Sequence, residues 1–385
     1  VRLAARRVAT RPMQRRPELD ALRGILLVLM TLTHLPTRLN AYSSQPLGFI
    51  SAAEGFVFLS AFLVGVTQAR PKGPAATMWR GMWKRALKVY RYHVGLLAFA
   101  FAVIGTLGVF GDRPAIRNLL DFFHREPLTA LWSSLVLLYC PPLLDILPLY
   151  VVLLALTPLV LTGAHRFGWA RMLVVSGLVW LAAQVGLKHA LYDWLETFPG
   201  SPARFDTSGA FDLFAWQFLW VVGVWRGARH ARSPAPPPQR HSASRFAGAL
   251  VLSVAFLLVR YEAFGLGVVT EWAPLLFDKW TLGALRLLNF GVVAVLVGRV
   301  APPLVARLKP RVLAMLGSAS LPVFATHLVL CLLSLALINE HEDPLDGVEE
   351  FAVLVVTFAI MLFVAFRHQR GGTVPRSAPL LTPGE

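Results

Sequence analysis

The chain has 385 residues, of which 56% are hydrophobic and 15% charged, with a mean hydropathy of +0.59. Soluble domains carry about 25% charged residues, so this composition excludes an ordinary soluble domain. The formal net charge of +16 does not indicate a nucleic-acid partner, because the Lys and Arg of membrane chains gather in cytoplasmic loops and set orientation.

In chain order, the elements read as an all-α, polytopic integral membrane protein of about ten transmembrane helices. Residues 1–16, "VRLAARRVATRPMQRR", form a basic cytoplasmic segment. No small-residue cleavage site follows the first apolar run, so that run is read as a retained helix and not a signal peptide. Spans are expected near 21–37, 48–68, 89–110, 131–163, 170–188, 211–228, 246–264, 281–299, 312–338 and 349–366. A single transmembrane domain over 17–366 is followed by a cytoplasmic tail, 367–385. The stretch "LWSSLVLLYCPPLLDILPLYVVLLALTPLVLTG" is long enough for two short helices, but its prolines break the hydrogen-bond ladder. Counting it as one broken crossing puts the basic loops 1–16, 70–91, 226–245, 299–311 and 367–376 on one side. The acidic turn "NEHEDPLDGVEE" then falls on the other side, and both termini are cytoplasmic. Residues 112–127 read as a short interfacial helix on the outer side. The stretch "RGARHARSPAPPPQRHSASR" reads as a flexible loop. Cys140 and Cys331 lie in apolar segments and imply no disulfide framework.

A rise of ~1.5 Å per residue converts position into depth. His34 comes out ~21 Å across from the inner face, and Glu54 ~10 Å below the outer surface. His327 reaches nearly the level of His34, and Asp212, Gln217 and Arg286 also fall in the outer half. Asp20 and Arg23 belong at the inner edge, beside "WRGMWKRALKVYRYH". Each residue also has a structural reading. An intramembrane His can simply bond a neighbouring helix, Arg286 can neutralise Asp212 or Glu54, and Asp212 can cap a helix. The basic residues of the loop can serve orientation alone, with Trp79 and Trp83 in an interfacial belt. A carboxylate such as Glu54 within the bilayer points to a cavity or a partner. The convergence of these groups at one depth favours a site.

Several segments together resemble the OpgC family, succinyltransferases of osmoregulated periplasmic glucans within the acyltransferase-3 class. They are "ELDALRG" with the Arg23–His34 spacing, "AAEGFVFLSAFLVG", "KRALKVYRYH", "LLDILPLYVVLLALTP", "FDLFAWQF", "LGALRLLNF" and "LGSASLPVFATH", in order over most of the chain. Ala61 departs from the Ser-Gly that the family tends to carry after the Phe-rich run. The resemblance implies transfer of an acyl group, most naturally succinyl, from cytoplasmic acyl-CoA to hydroxyls of a periplasmic glucan at the bacterial inner membrane. The basic inner residues suit CoA phosphates. An outer imidazole suits activation of an alcohol, a gain of roughly 10²–10⁴-fold. Depth and resemblance together give His34 as general base, with Glu54 holding its tautomer, and Asp20 and Arg23 completing the catalytic set. Substrate contacts are expected from Asp212, Trp216, Gln217, Arg286 and His327, and on the donor side from Arg80, Lys84, Arg85, Tyr90 and Arg91. Acyl-CoA is the expected co-substrate, and no metal is expected. The alternatives are a secondary transporter relaying protons or anions through His34, Glu54 and Arg286, and a non-catalytic sensor or scaffold. Against the transporter, the sequence shows no paired broken helices in two matching halves.

Overall fold

The computed structural model describes residues 17–69, 75–110, 114–232, 243–336, 345 and 347–371. Segment 1–16, most of the tail, and parts of the 226–245 and 339–350 stretches therefore lie outside the described residues. Among the described residues the fold is all-helical, with one isolated bridge between Thr37 and Leu345.

The longer helices are α1 (Pro17–His34), α2 (Ala52–Gln68), α3 (Ala75–Phe110), α4 (Pro127–Leu135), α5 (Ile146–Phe167), α6 (Trp169–Gln184), α7 (Leu187–Glu196), α8 (Leu213–Arg232), α9 (Ala243–Arg260), α10 (Ala284–Leu308), α11 (Arg311–Ser318), α12 (Ser320–Leu335) and α13 (Gly347–Gly371). A helix stands at each of the ten expected stretches. Among the described residues, five helices are long and apolar enough to cross a membrane: α3, α5, α9, α10 and α13. The number becomes seven if each of two bent pairs, α6 with α7 (71°) and α11 with α12 (89°), is one span.

The proline-interrupted stretch resolves differently from a continuous broken crossing. Only α5 has spanning length, and α4 is a nine-residue helix separated from it by the turn 136–145. Pro141 and Pro142 supply no backbone donors there, and Leu137 (φ 64°) and Leu143 (φ 69°) take left-handed conformations that end any helix. The expected interfacial helix is two short ones, Pro114–Leu119 and Asp121–Arg125. Near its end α3 contains a π-helical turn, Ala100–Ile104.

Close packing uses small residues, as is usual where apolar lipid gives helices little reason to associate. In α8 the sequence "GVWRG" sets Gly223 and Gly227 one turn apart against α2. A Cβ on Gly227 would collide with the Phe62 carbonyl, and one on Gly65 with the Val224 carbonyl. Ala61 is wholly buried, and its Cβ lies against the Gly223 position, so the small residue there is used for packing. The same device joins α1 to α11, where Gly24 faces the Leu313 carbonyl and Gly317 the Asp20 carbonyl. These contacts bring α1, α2, α5, α8 and α12 around one aromatic core that includes Phe56, Tyr150, Trp216, Trp220 and Phe324.

Candidate functional site

Two cavities open into this core. The larger, about 910 Å³, is lined by His34, Asp145, Lys188, Asp212, Lys279 and the first residues of α2. The smaller, about 410 Å³, is lined by Arg23, Ser60, Arg85, Lys88, Tyr150 and Ser320.

His34 ends α1 on the wall of the larger cavity, and its Nδ1 lies 3.2 Å from Nε2 of His327. The ring planes are 13° apart. The other nitrogen of His327, Nδ1, lies 2.6 Å from the Phe324 carbonyl oxygen. A carbonyl only accepts, so Nδ1 of His327 carries the hydrogen and, in the neutral ring, Nε2 is an acceptor. His34 must then donate from Nδ1. With both rings neutral, Nε2 of His34 keeps a free lone pair. The tautomer is thus assigned from the hydrogen-bond chain.

Glu54 does not take part in this chain, contrary to the expectation that it holds the His34 tautomer. One oxygen caps α2, accepting from the Ser51 backbone N–H at 2.9 Å and the Ser51 hydroxyl at 2.6 Å. The other accepts from Nε of Arg286 at 2.5 Å, and both side chains are 1% exposed. Glu54 and Arg286 line neither cavity. Of the two partners foreseen for Arg286, Glu54 is the one used. The pair ties α2 to α10 and to the turn before it, since Arg286 also donates to the Phe277 carbonyl at 3.4 Å.

Asp212 both caps α8, accepting from the Phe214 and Ala215 N–H groups at 2.8 and 3.1 Å, and lines the larger cavity. Trp216 and Gln217, expected to contact substrate, line neither of these two cavities and are bonded to neighbouring segments. The Trp216 indole donates to the Trp280 carbonyl at 3.0 Å, and Gln217 is bonded both ways to Ser176 of α6. Trp180 and Gln184 of α6 donate to the Leu282 and Thr281 carbonyls, at 3.0 and 2.7 Å. These bonds hold the turn 278–283, where Leu282 is left-handed (φ 50°). The turn presents Lys279 to the cavity.

Lys279 and Asp145 escape sequence reasoning. Both are turn residues, Lys279 outside the resembling segments and Asp145 near the start of "LLDILPLYVVLLALTP", and a depth estimate along a helix assigns neither a role. The Lys279 ammonium lies 4.5 Å from the Trp280 ring centre and within electrostatic reach of His34. Burial pushes its pKa down, against the opposing pull of Glu54. Asp145, in the turn before α5, has its carboxyl pushed up to about 6 by burial, while a bond from the Ala210 N–H opposes the shift. Lys188 donates to the Gly209 carbonyl at 2.6 Å.

In the smaller cavity Arg23 donates to the Ser320 hydroxyl, and its guanidinium lies 5.8 Å from the Phe56 ring centre. Asp20 lies one turn before Arg23, within its electrostatic reach, and lines a separate shallow recess with Arg311 and Gln369. Of the expected donor-side residues, only Arg85 lines the cavity, joined there by Lys88. Arg80, Lys84 and Arg91 are exposed elsewhere on α3, and the Tyr90 hydroxyl is occupied by the Leu135 carbonyl at 2.9 Å. Among the described residues, no group of three His, Cys, Asp or Glu side chains could hold a metal ion.

Comparison with curated proteins and with solved structures gives no match. The family model described as OpgC protein matches residues 15–371. That family implies an acyltransferase of glucan modification, and both cavities and every residue placed above fall within the match. The chain belongs to the OpgC family.

Proposed function

We propose that the protein transfers an acyl group from acyl-CoA to a glucan hydroxyl, with His34 as the general base. The observation that carries this reading is the His327–His34 hydrogen-bond chain, which leaves the Nε2 lone pair of His34 on the wall of the larger cavity. The acceptor sits in that cavity, where Asp145 and Asp212 offer carboxylates to sugar hydroxyls. The donor's CoA phosphates sit at the mouth of the smaller cavity, on Arg85, Lys88 and Arg23.

In the transfer, the acceptor oxygen attacks the thioester carbonyl while its proton passes to Nε2 of His34. The C–O bond forms, the C–S bond breaks, and the proton ends on the CoA sulfur. The imidazolium formed in between still donates from Nδ1 to His327, which spreads its charge. His327 thereby fills the orienting role that a carboxylate fills in hydrolase triads. Lys279 places positive charge beside the developing oxyanion.

The membrane arrangement belongs to the same reading. About ten crossings with both termini cytoplasmic would put the smaller cavity on the cytoplasmic side of a bacterial inner membrane and the larger one on the periplasmic side. Succinyl is the acyl group we favour. A transporter relay is less well supported, because Glu54 and Arg286 are locked to each other away from both cavities. Purified protein given succinyl-CoA and a β-glucan oligosaccharide should release free CoA and yield acylated glucan. Donor left intact in the presence of acceptor would remove the reading.

A further inference from the structure

The linings of the two cavities share two residues, Ile146 and Phe324. Ile146 opens α5, and Phe324 lies on α12, one turn past Ser320 and one turn before His327. Both are nearly inaccessible, at 7% and 3% exposure. The Phe324 ring stands 4.7 Å from His327 edge to face and 6.0 Å from Phe56 in a stack, and Phe56 in turn lies 5.9 Å from Tyr150.

We infer that Ile146 and Phe324 form an aromatic–aliphatic gate between donor and acceptor, and that its aperture sets the size of the acyl group transferred. The inference rests on the acyltransferase reading, which assigns one substrate to each cavity. The phosphate-rich part of the donor is held at the cationic mouth of the smaller cavity. The acceptor oxygen has to come within ~3–3.5 Å of the thioester carbonyl for attack. The wall that Ile146 and Phe324 share is where the two cavities meet, so the thioester has to reach past it. Rotating Phe324 about its two side-chain torsions opens that wall beside His327. Phe56 and Tyr150 stand behind the ring, so the opening admits a short acyl chain and rejects a long one. Because the Phe324 carbonyl also fixes the His327 tautomer, the gate and the hydrogen-bond partner of the base share one turn of α12.

The test compares acetyl-, succinyl- and hexanoyl-CoA as donors to a β-glucan oligosaccharide, with acylated product measured by mass spectrometry. The proteins are the full-length wild type, Phe324→Leu and Ile146→Ala. Two variants on opposite sides of the wall guard against loss of packing around His327 in either one. The expected result is that the ratio of hexanoyl to acetyl transfer rises roughly tenfold or more in both variants, the scale on which pockets discriminate by size. If the wild type acylates glucan and both variants keep its donor profile, the gate is overturned while the function stands. If the wild type transfers from no donor, the acyltransferase reading fails and the gate falls with it.

Discussion

Replacing His327 with leucine removes the acceptor for Nδ1–H of His34 while keeping an apolar side chain of comparable bulk against Phe324. In the ground state His34 is neutral, and losing its 3.2 Å bond to His327 costs about 1 kcal/mol, as for other neutral hydrogen bonds. In the transition state His34 carries the acceptor's proton, and a hydrogen bond from a charged donor contributes about 1.5–3 kcal/mol. Turnover senses the difference, about 0.5–2 kcal/mol, which at 1.36 kcal/mol per factor of ten is a slowing of roughly 2- to 30-fold. The Michaelis constants for donor and glucan should move little, because His327 lines neither cavity. His327→Gln retains a group able to accept and should recover part of the loss. The assay is steady-state release of CoA, followed with a thiol reagent at saturating donor and acceptor. Wild-type turnover in His327→Leu, or a loss confined to the Michaelis constants, would refute the proton chain.

Glu54→Gln strands Arg286 in a site where both side chains are 1% exposed, which costs about 3–5 kcal/mol. The variant should give less folded protein and a lower melting temperature in detergent, while the folded fraction keeps its turnover; a fully stable but inactive variant would return Glu54 to the chemistry. Arg85→Gln should raise the Michaelis constant for acyl-CoA severalfold with turnover at saturation largely preserved, whereas Lys84→Gln, outside the cavity lining, should match wild type. Equal effects of the two would return the whole segment to a role in orientation. Asp145 is protonated below and ionised above a pKa of about 6, and its carboxylate is the better acceptor for sugar hydroxyls. Affinity for glucan should therefore improve as the pH rises through that value, and Asp145→Asn should lack this limb; coinciding pH profiles would show that Asp145 does not touch the acceptor.

How much of the fold and site is legible in the sequence follows from what helix periodicity encodes. The rise per residue gives depth, and so the sequence alone places His34, His327, Glu54 and Arg286 at similar levels. Depth says nothing of azimuth or of which helices are neighbours. His34 meets His327 because α1 and α12 pack together across a separation of 293 residues, and Glu54 faces Arg286 because α2 presents that side to α10. Sequence reasoning therefore names all four of these residues but pairs His34 with Glu54, whereas its ring meets His327, and it passes over Lys279 and Asp145. The helical positions of Trp216 and Gln217 are also legible. Their use as fasteners is not, because it depends on the backbone of a turn some 60 residues away in one case and on Ser176 in the other. The regular spacing of Arg80, Lys84 and Lys88 suggests one charged stripe, whereas the cavity mouth takes Arg85 with Lys88.

The central claim is that His34 activates a glucan hydroxyl toward an acyl-CoA thioester. It is tested most directly by measuring acylated β-glucan formed from succinyl-CoA by wild type and His34→Ala, purified side by side and matched for folded protein. The account predicts product from the wild type and a loss of roughly 10²–10⁴-fold in the variant, with donor binding retained. Product at near-wild-type rates from His34→Ala would contradict it.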